Sequence, residues 1–491
     1  MKDLKVPGQR VTVVRDVPAS EQGEYVLYWM TANRRASWNF ALQRAADWAV
    51  RLRKPLLVFE PLRCGYRWAC DRFHRFVIDG MADNARKLDR RGVLYYPYLE
   101  PAAGRAHGLL AALARRACLV IGDDYPCFFH PRMFASAARQ ITVRWEQLDS
   151  NGLLPMNAAP SAFKRAFDFR RFLQKSLLDH LGDAPLPDPL HGLSLPEADF
   201  PLQEIRSQWP SVDVQGLSRP ESILAGLPID HQVAAVPVRG GMRAAADALR
   251  QFLSSKLARY DTDRNQPEQE VTSGLAPYLH FGHISSHQVF HDLMKQEDWS
   301  PARVAGKVTG SAQGWWGIGA GAEGFVDQLV TWRELGFNLC SKTTDYDQYD
   351  SLPDWARRTL QVHARDRREY IYDLPQFDAA ETHDPLWNAA QRQLVTEGRM
   401  HNYLRMLWGK KILQWSADPR GALETMIELN NRYALDGRDP NSYSGIFWCL
   451  GRYDRPWAPE RPVFGQIRYM SSENTARKVR VRDYIRRYGT T

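Results

Sequence analysis

Apolar runs alternate with amphipathic stretches over the first third of the chain. Glu24 to Met30 (EYVLYWM), Pro55 to Leu62 (PLLVFEPL), Gly92 to Glu100 (GVLYYPYLE) and Cys118 to Asp124 (CLVIGDD) each read as a strand. Between them the spacing predicts helices from about Ser37 to Lys54, Trp68 to Arg90 and His107 to Arg116. Ile141 to Gln147 (ITVRWEQ) is expected to extend the same sheet, and the residues before Glu24 read as a polar arm. Strands that are apolar throughout and separated by helices predict a parallel sheet covered on both faces. No GxGxxG follows the first strand, so a Rossmann-like domain is expected without the usual dinucleotide fingerprint.

From about Ser150 to Gly240 the pattern breaks into Pro-, Gly- and Ser-bearing segments such as DAPLPDPLHGLSLPEADFPL, which read as a connection with short helices. From Met242 onward helical periodicity takes over, at Met242 to Tyr260, Ser285 to Gln296, Ala322 to Phe337, Pro353 to Ala364, His383 to Trp415 and Gly421 to Asn430. The expected organisation is therefore an α/β Rossmann-like domain over 1–150, a linker over 151–241 and an all-α domain over 242–491.

The stretch from His383 to Trp415 is helix-forming almost throughout, yet carries Trp387, Trp408 and Trp415 beside basic residues. Trp408 and Trp415 are two helical turns apart and share a face, about 10 Å apart along the axis. Aromatics at this spacing are ordinarily core, and a redox cofactor beside them is what would give them a further role.

Composition adds a partner class. The 491 residues carry a net charge of +9, which points to a polyanion, nucleic acid first and an anionic membrane surface second. Six cysteines without a CxxC or a regular framework read as reduced, buried thiols of a cytosolic protein. MKDLKVPGQRVTVVRDV lacks the apolar core of a signal peptide, and no run reaches the roughly 20 apolar residues of a membrane span.

Two segments can bind a cofactor. Thr272, Ser273 and Gly274 can offer hydroxyl and backbone donors to a phosphate, although an ordinary helix cap uses the same residues. The polar loop in LNNRYALDGRDPNSYSGIFWCLG (Leu429 to Gly451) can hydrogen-bond the edge of a heterocycle, or form a string of Asx turns.

Taken in order, PYLHFGHIS, QLVTWRELGFN, HDPLWNAAQ, RMHNYLRMLWGKKIL, LDGRDPNSY and ERPVFGQIRYM closely resemble the class II cyclobutane pyrimidine dimer photolyases of the photolyase/cryptochrome family. The match covers essentially the whole helical half. The first half fits in architecture, as the family's antenna domain. The resemblance implies the photolyase/cryptochrome fold and FAD held in the helical domain, active as the reduced anion. By motif, Tyr260 and Thr272, Ser273, Gly274 and Leu275 would hold the phosphates, and Asn430 would face flavin N5. Asp436 and Asp439 would lie at the isoalloxazine and ribose, with Arg405 paired to Asp436. Protein groups of this kind tune a flavin's charge states.

The resemblance also implies a role for the tryptophans, as an electron chain running from flavin to Trp408, Trp387 and Trp415 that brings electrons in from the surface for photoreduction. It implies UV-damaged DNA as the partner, with a dimer flipped into a pocket. The matching pocket positions are Arg264, Asn265, Trp332, Met406, Trp448, Arg455 and Trp457. The basic run Arg477 to Tyr488 suits phosphate contact or a solvated basic face. A deazaflavin antenna is left open, a monomer is expected, and the expected location is the cytoplasm, on the nucleoid in a bacterium.

One position departs from the family. Where its pattern has a glutamate one turn before the tryptophan of TWREL, this chain has Gln328. A glutamine amide can donate a hydrogen bond to the dimer but cannot supply a proton. Asp327 points about 100° away on a helix and is a poor substitute. The leading reading is light-driven dimer repair. The alternative is a cryptochrome-like photoreceptor, or a homologue whose repair is weak or altered at Gln328.

Overall fold

The computed structural model describes residues 5–197 and 202–489. They pack as two compact units. One takes in the chain up to Pro160, Ser176–Gln251 and Gly274–Asp298; the other takes in Ser161–Lys175, Phe252–Ser273 and the chain from Trp299 on.

The first unit is built on a six-stranded sheet in the order β1-β6-β5-β2-β3-β4. Its strands are β1 (Val11–Arg15), β2 (Tyr25–Trp29), β3 (Leu56–Leu62), β4 (Leu94–Leu99), β5 (Ala117–Asp123) and β6 (Arg144–Leu148). All pairings are parallel except β1 with β6. Every residue of β2 and β5 is buried, which is why these central strands read as unbroken apolar runs. The helices Phe40–Leu52, Asp71–Asp89 and Leu109–Arg116 fall inside the ranges expected from the sequence.

The strand order reverses between β2 and β5, the point at which such sheets usually bind a nucleotide. Here Asp123, at the end of β5, takes that place. Its Oδ2 accepts the N–H groups of Thr31, Ala32 and Asn33 at 2.8, 2.8 and 2.9 Å, and its Oδ1 accepts the Tyr28 hydroxyl at 2.8 Å. A buried carboxylate on these donors leaves no cradle for a phosphate. This agrees with the missing glycine fingerprint.

Two features differ from the sequence reading. The N-terminal arm is not structureless: Val11–Arg15 pairs antiparallel with β6 as an edge strand, with only its ends partly buried. The compact units also do not follow the linear division 1–150, 151–241, 242–491. PYLHFGHIS packs in the first unit, where Tyr278 and Phe281 meet the Phe76 ring at 5.3 and 5.2 Å. Leu217, Leu224 and Leu227 of the expected linker share a core with Val77, Ile78 and Met81.

The second unit is helical. Its centre is formed by the helices Arg333–Lys342, Pro385–Glu397, Asn402–Trp415, Pro419–Tyr433 and Pro440–Cys449. Pro at the first helical position behind an aspartate cap starts three of them, with Asp384, Asp418 and Asp439 accepting first-turn N–H groups. All six cysteines are buried and none is in a disulfide. No helix among the described residues is long and apolar enough to cross a membrane.

Candidate functional site

Helix Asn402–Trp415 has a low polar contrast because both of its faces are used. Leu404, Leu407, Trp408 and Ile412 are buried, while Arg405 and Met406 stay half-buried beside them. Gly409 lets this helix come close to Pro440–Cys449. A Cβ there would lie 2.5 Å from Cys449 Sγ and 3.2 Å from Met426 Sδ. Gly409→Ala is therefore expected to cost about 1–3 kcal/mol through overpacking. Thermal unfolding would register this as a midpoint several degrees lower; an unchanged midpoint would mean the helices can part without cost.

The close approach brings Met406 Sδ to 3.9 Å from Cys449 Sγ, next in sequence to Trp448. Trp448 stacks on Trp332, with ring centroids 4.5 Å apart and planes at 15°. The Trp448 indole N–H is buried and meets no acceptor among the described residues. Trp332 closes a π-helical turn, Asp327–Trp332, in which the Arg333 N–H bonds back five residues to the Gln328 carbonyl. Such wide turns recur at functional sites, because the extra residue re-aims the side chains it carries. Gln328 is half-buried, and its side-chain amide makes no hydrogen bond among the described residues. Asp327 is committed elsewhere, gripped by Arg170 at 2.7 and 3.1 Å. It cannot stand in for a glutamate at position 328, as its helical direction had indicated.

The polar residues expected at the cofactor belong to the same unit. Arg405 and Asp436 form a two-pronged ion pair at 3.2 and 3.1 Å, both about a quarter exposed. Asn430 is buried; its amide hydrogens go to Ser442 Oγ at 2.7 Å and Asn431 Oδ1 at 3.2 Å. No donor to the Asn430 side-chain oxygen is found among the described residues. Asp439 caps the Pro440–Cys449 helix by accepting the Asn441 N–H at 2.8 Å, so part of its role is structural. Tyr260 sits edge-on to both Phe252 and Phe325 at 5.6 Å, and burial raises its pKa. Arg264 lies over the Tyr260 ring at 5.6 Å and reaches the Gly324 carbonyl.

The remaining predicted residues are less concentrated. Thr272 and Ser273 are half-buried in an irregular stretch of this unit. Tyr260, Thr272 and Ser273 belong to the same unit as Arg405, Asn430, Asp436 and Asp439, while the boundary between the units falls just before Gly274 and Leu275. Gly274 does adopt a left-handed conformation, φ +69°, with open space where a Cβ would be. Asn265, after Arg264, is exposed. Arg455 and Trp457 form an exposed cation–π pair at 5.4 Å, with the Trp457 indole N–H bonded to Asp454. They make no ring contact with the Trp332–Trp448 stack.

The three tryptophans form a file. Trp408 donates its indole N–H to Gln391 Oε1 at 2.9 Å, and Trp387 donates to the Trp408 carbonyl at 3.1 Å. Trp387 then meets Trp415 at 6.1 Å between centroids, with planes at 72°. The file does not end at the surface, as expected from the sequence, because Trp415 is only 2% exposed. Beyond it lie His383 at 4.9 Å and Tyr372 at 5.8 Å, the Tyr372 hydroxyl 2.8 Å from His383 Nδ1. Tyr370, 38% exposed, stacks on His383 at 3.7 Å. These residues were missed in the sequence; the aromatic pair of EYIYD was the available signal.

The basic C-terminal run is split in use. Tyr484 and Tyr488 bury their rings and bond Gln393 and Glu397, and Arg487 pairs with Glu397 at 3.4 Å. Arg477, Lys478, Arg480 and Arg482 are exposed and make no ion pair among the described residues.

Comparison with known proteins adds names to this geometry. No family model matches the chain. It is 33% identical over 467 residues to the deoxyribodipyrimidine photo-lyase of Methanothermobacter thermautotrophicus, covering 95% of each chain. It is 31% identical to that of Potorous tridactylus, over 98% of this chain and 84% of the other. With that of Oryza sativa subsp. japonica the identity is 35%, over 94% and 87%. Among solved structures, a bacterial class III photolyase from Agrobacterium tumefaciens superposes with a TM-score of 0.67 at 18% identity, over 96% of this chain and 88% of that one. That likeness establishes the fold.

Proposed function

We infer the function from a settled premise: this chain belongs to the deoxyribodipyrimidine photo-lyase family and is a light-dependent DNA repair enzyme of that family. Within it we propose a class II enzyme that splits cyclobutane pyrimidine dimers in UV-damaged DNA. The carrying observation is helix Asn402–Trp415, on which Arg405 pairs with Asp436, Met406 adjoins Cys449 beside the indole stack and Trp408 begins the file.

The residues present fit FAD. Arg405, Asp436 and Asn430 would hold the isoalloxazine, Asp439 the ribose, and Tyr260, Thr272 and Ser273 the phosphates. Reduced anionic FAD, when bound, supplies the electron that opens the dimer's cyclobutane ring and receives it back. The protein's own share is positional. The Arg405 guanidinium, fixed by Asp436, favours negative charge on the ring beside it. The Asn430 oxygen would accept from a protonated nitrogen of the bound ring.

Above them, Met406, Trp332 and Trp448 form an apolar wall for a flipped dimer, each aromatic contact worth about 1–3 kcal/mol. Gln328 offers its unpaired amide to a dimer carbonyl. Arg264, Asn265, Arg455 and Trp457 engage the DNA around it, and the exposed Arg477 to Arg482 stretch adds phosphate contacts that weaken with salt.

Trp408, Trp387 and Trp415 serve as the electron supply in that order. The last member reaches solvent through Tyr372, which can release its phenolic proton to His383 as it is oxidised. We place the enzyme's action in the cytoplasm, as a monomer. In the first unit, a cavity of about 500 Å³ lined by Trp38, Lys87, Arg90, Arg243 and Arg250 among others is where a deazaflavin antenna would be sought.

Gln328 supports a second reading, a cryptochrome-like photoreceptor with weak or altered repair. Both readings predict that gently purified protein is yellow or blue with FAD and photoreduces under blue light. A colourless, light-insensitive protein would exclude the two together.

A further inference from the structure

The file of indoles is not uniform. Lys411 stands one helical turn before Trp415 on the same helix, and the i,i+4 spacing lays its Nζ over the Trp415 ring, 5.1 Å from the centroid. The ammonium is buried and has no carboxylate within ion-pair distance among the described residues. Its hydrogen-bond partner is the neutral Gln414 Oε1 at 3.1 Å. Burial lowers the Lys411 pKa, while the more distant Asp384 and Glu473 carboxylates oppose that shift and favour the charged form. Neither Trp387 nor Trp408 has a cation over its ring among the described residues.

A cation is attracted to the face of a neutral indole and repelled by the same indole once it has lost an electron. In a buried setting this difference is poorly screened. We propose that Lys411 is a tuning residue of the electron file, making Trp415 the hardest of the three tryptophans to oxidise, so that the hole does not rest there. In the step concerned, neutral Trp415 gives one electron to the Trp387 radical cation. Trp387 becomes neutral, Trp415 becomes the radical cation, and no proton moves. By destabilising that product, Lys411 shortens its life by passing the hole on toward the surface aromatics Tyr372 and Tyr370, which ends the tryptophan signal. The inference rests on the tryptophan relay proposed above.

The test is flash photolysis of the FAD-bound protein, following the tryptophan radical-cation absorbance. Lys411→Met and Lys411→Gln, checked for unchanged FAD content and melting midpoint, are expected to lengthen the life of that signal several-fold. Lys411→Glu should lengthen it further, and Lys411→Arg should behave like the unmodified protein. A merely structural lysine would leave the radical's lifetime alone. Trp408→Phe is run in parallel. If it blocks photoreduction while the Met and Gln variants decay like the unmodified protein, the role of Lys411 is overturned and the relay stands. If Trp408→Phe photoreduces normally, the relay falls, and the tuning role with it.

Discussion

Trp408→Phe is expected to slow photoreduction of the FAD-bound protein by an order of magnitude or more, while leaving repair by chemically reduced enzyme largely intact. Trp408 is the member of the file nearest in sequence to Arg405 and Met406 on helix Asn402–Trp415, and phenylalanine is far harder to oxidise than tryptophan. Trp387 touches Trp408 through its N–H···O=C bond and Trp415 through its ring, so the file has one entrance and loses continuity there. The substitution also removes the indole N–H bonded to buried Gln391, which leaves an amide oxygen unsatisfied. Some loss of stability, about 1–3 kcal/mol, should therefore accompany the photochemical loss. Steady-state bleaching of the oxidised-flavin absorbance under blue light, with dithionite-reduced enzyme as the repair control, separates the two effects. Normal bleaching would remove the relay from the account. Loss of repair in the chemically reduced enzyme would mean that Trp408 does something besides conduct.

The second large effect is expected at Gln328. Gln328→Glu should raise the yield of dimer splitting per absorbed photon several-fold. The π-helical turn presents residue 328 half-buried near Trp332, with an amide that makes no hydrogen bond among the described residues. A neutral amide can donate one hydrogen bond to a carbonyl that is gaining negative charge. A carboxylic acid at the same place donates more strongly and can share its proton. The adjacent acid Asp327 does not compensate in the unmodified chain, because Arg170 holds it. Quantum yields measured on the same dimer-containing oligonucleotide, with both enzymes fully reduced, decide the matter. An unchanged or lower yield would show that this site does not use a carboxyl group.

How much of this was legible in the sequence depended on how local each signal was. Strands β2 to β5 were readable because extensive burial, complete in β2 and β5, makes a continuous apolar run. Val11–Arg15 was not, because an edge strand with an exposed middle carries no such run. PYLHFGHIS was recognisable as a motif but not as part of the first unit, since that depends on Phe76, some 200 positions earlier in the chain. Trp387 touches both Trp408 and Trp415; that contact, the burial of Trp415 and its cover of Tyr372 and His383 arise from chain packing that no spacing reveals. The commitment of Asp327 to Arg170, 157 residues away, is of the same kind. The π-helical turn has no composition of its own, and QLVTWRELG reads as ordinary helix.

The most direct test is repair itself. Fully reduced, FAD-bound protein is mixed with an oligonucleotide carrying one thymine cyclobutane dimer and illuminated with blue light, and the return of thymine absorbance is followed. The account predicts recovery that requires light, saturates with enzyme and is absent from a dark control. No recovery under illumination, with the flavin demonstrably reduced and the DNA bound, would contradict it and leave the photoreceptor reading in its place.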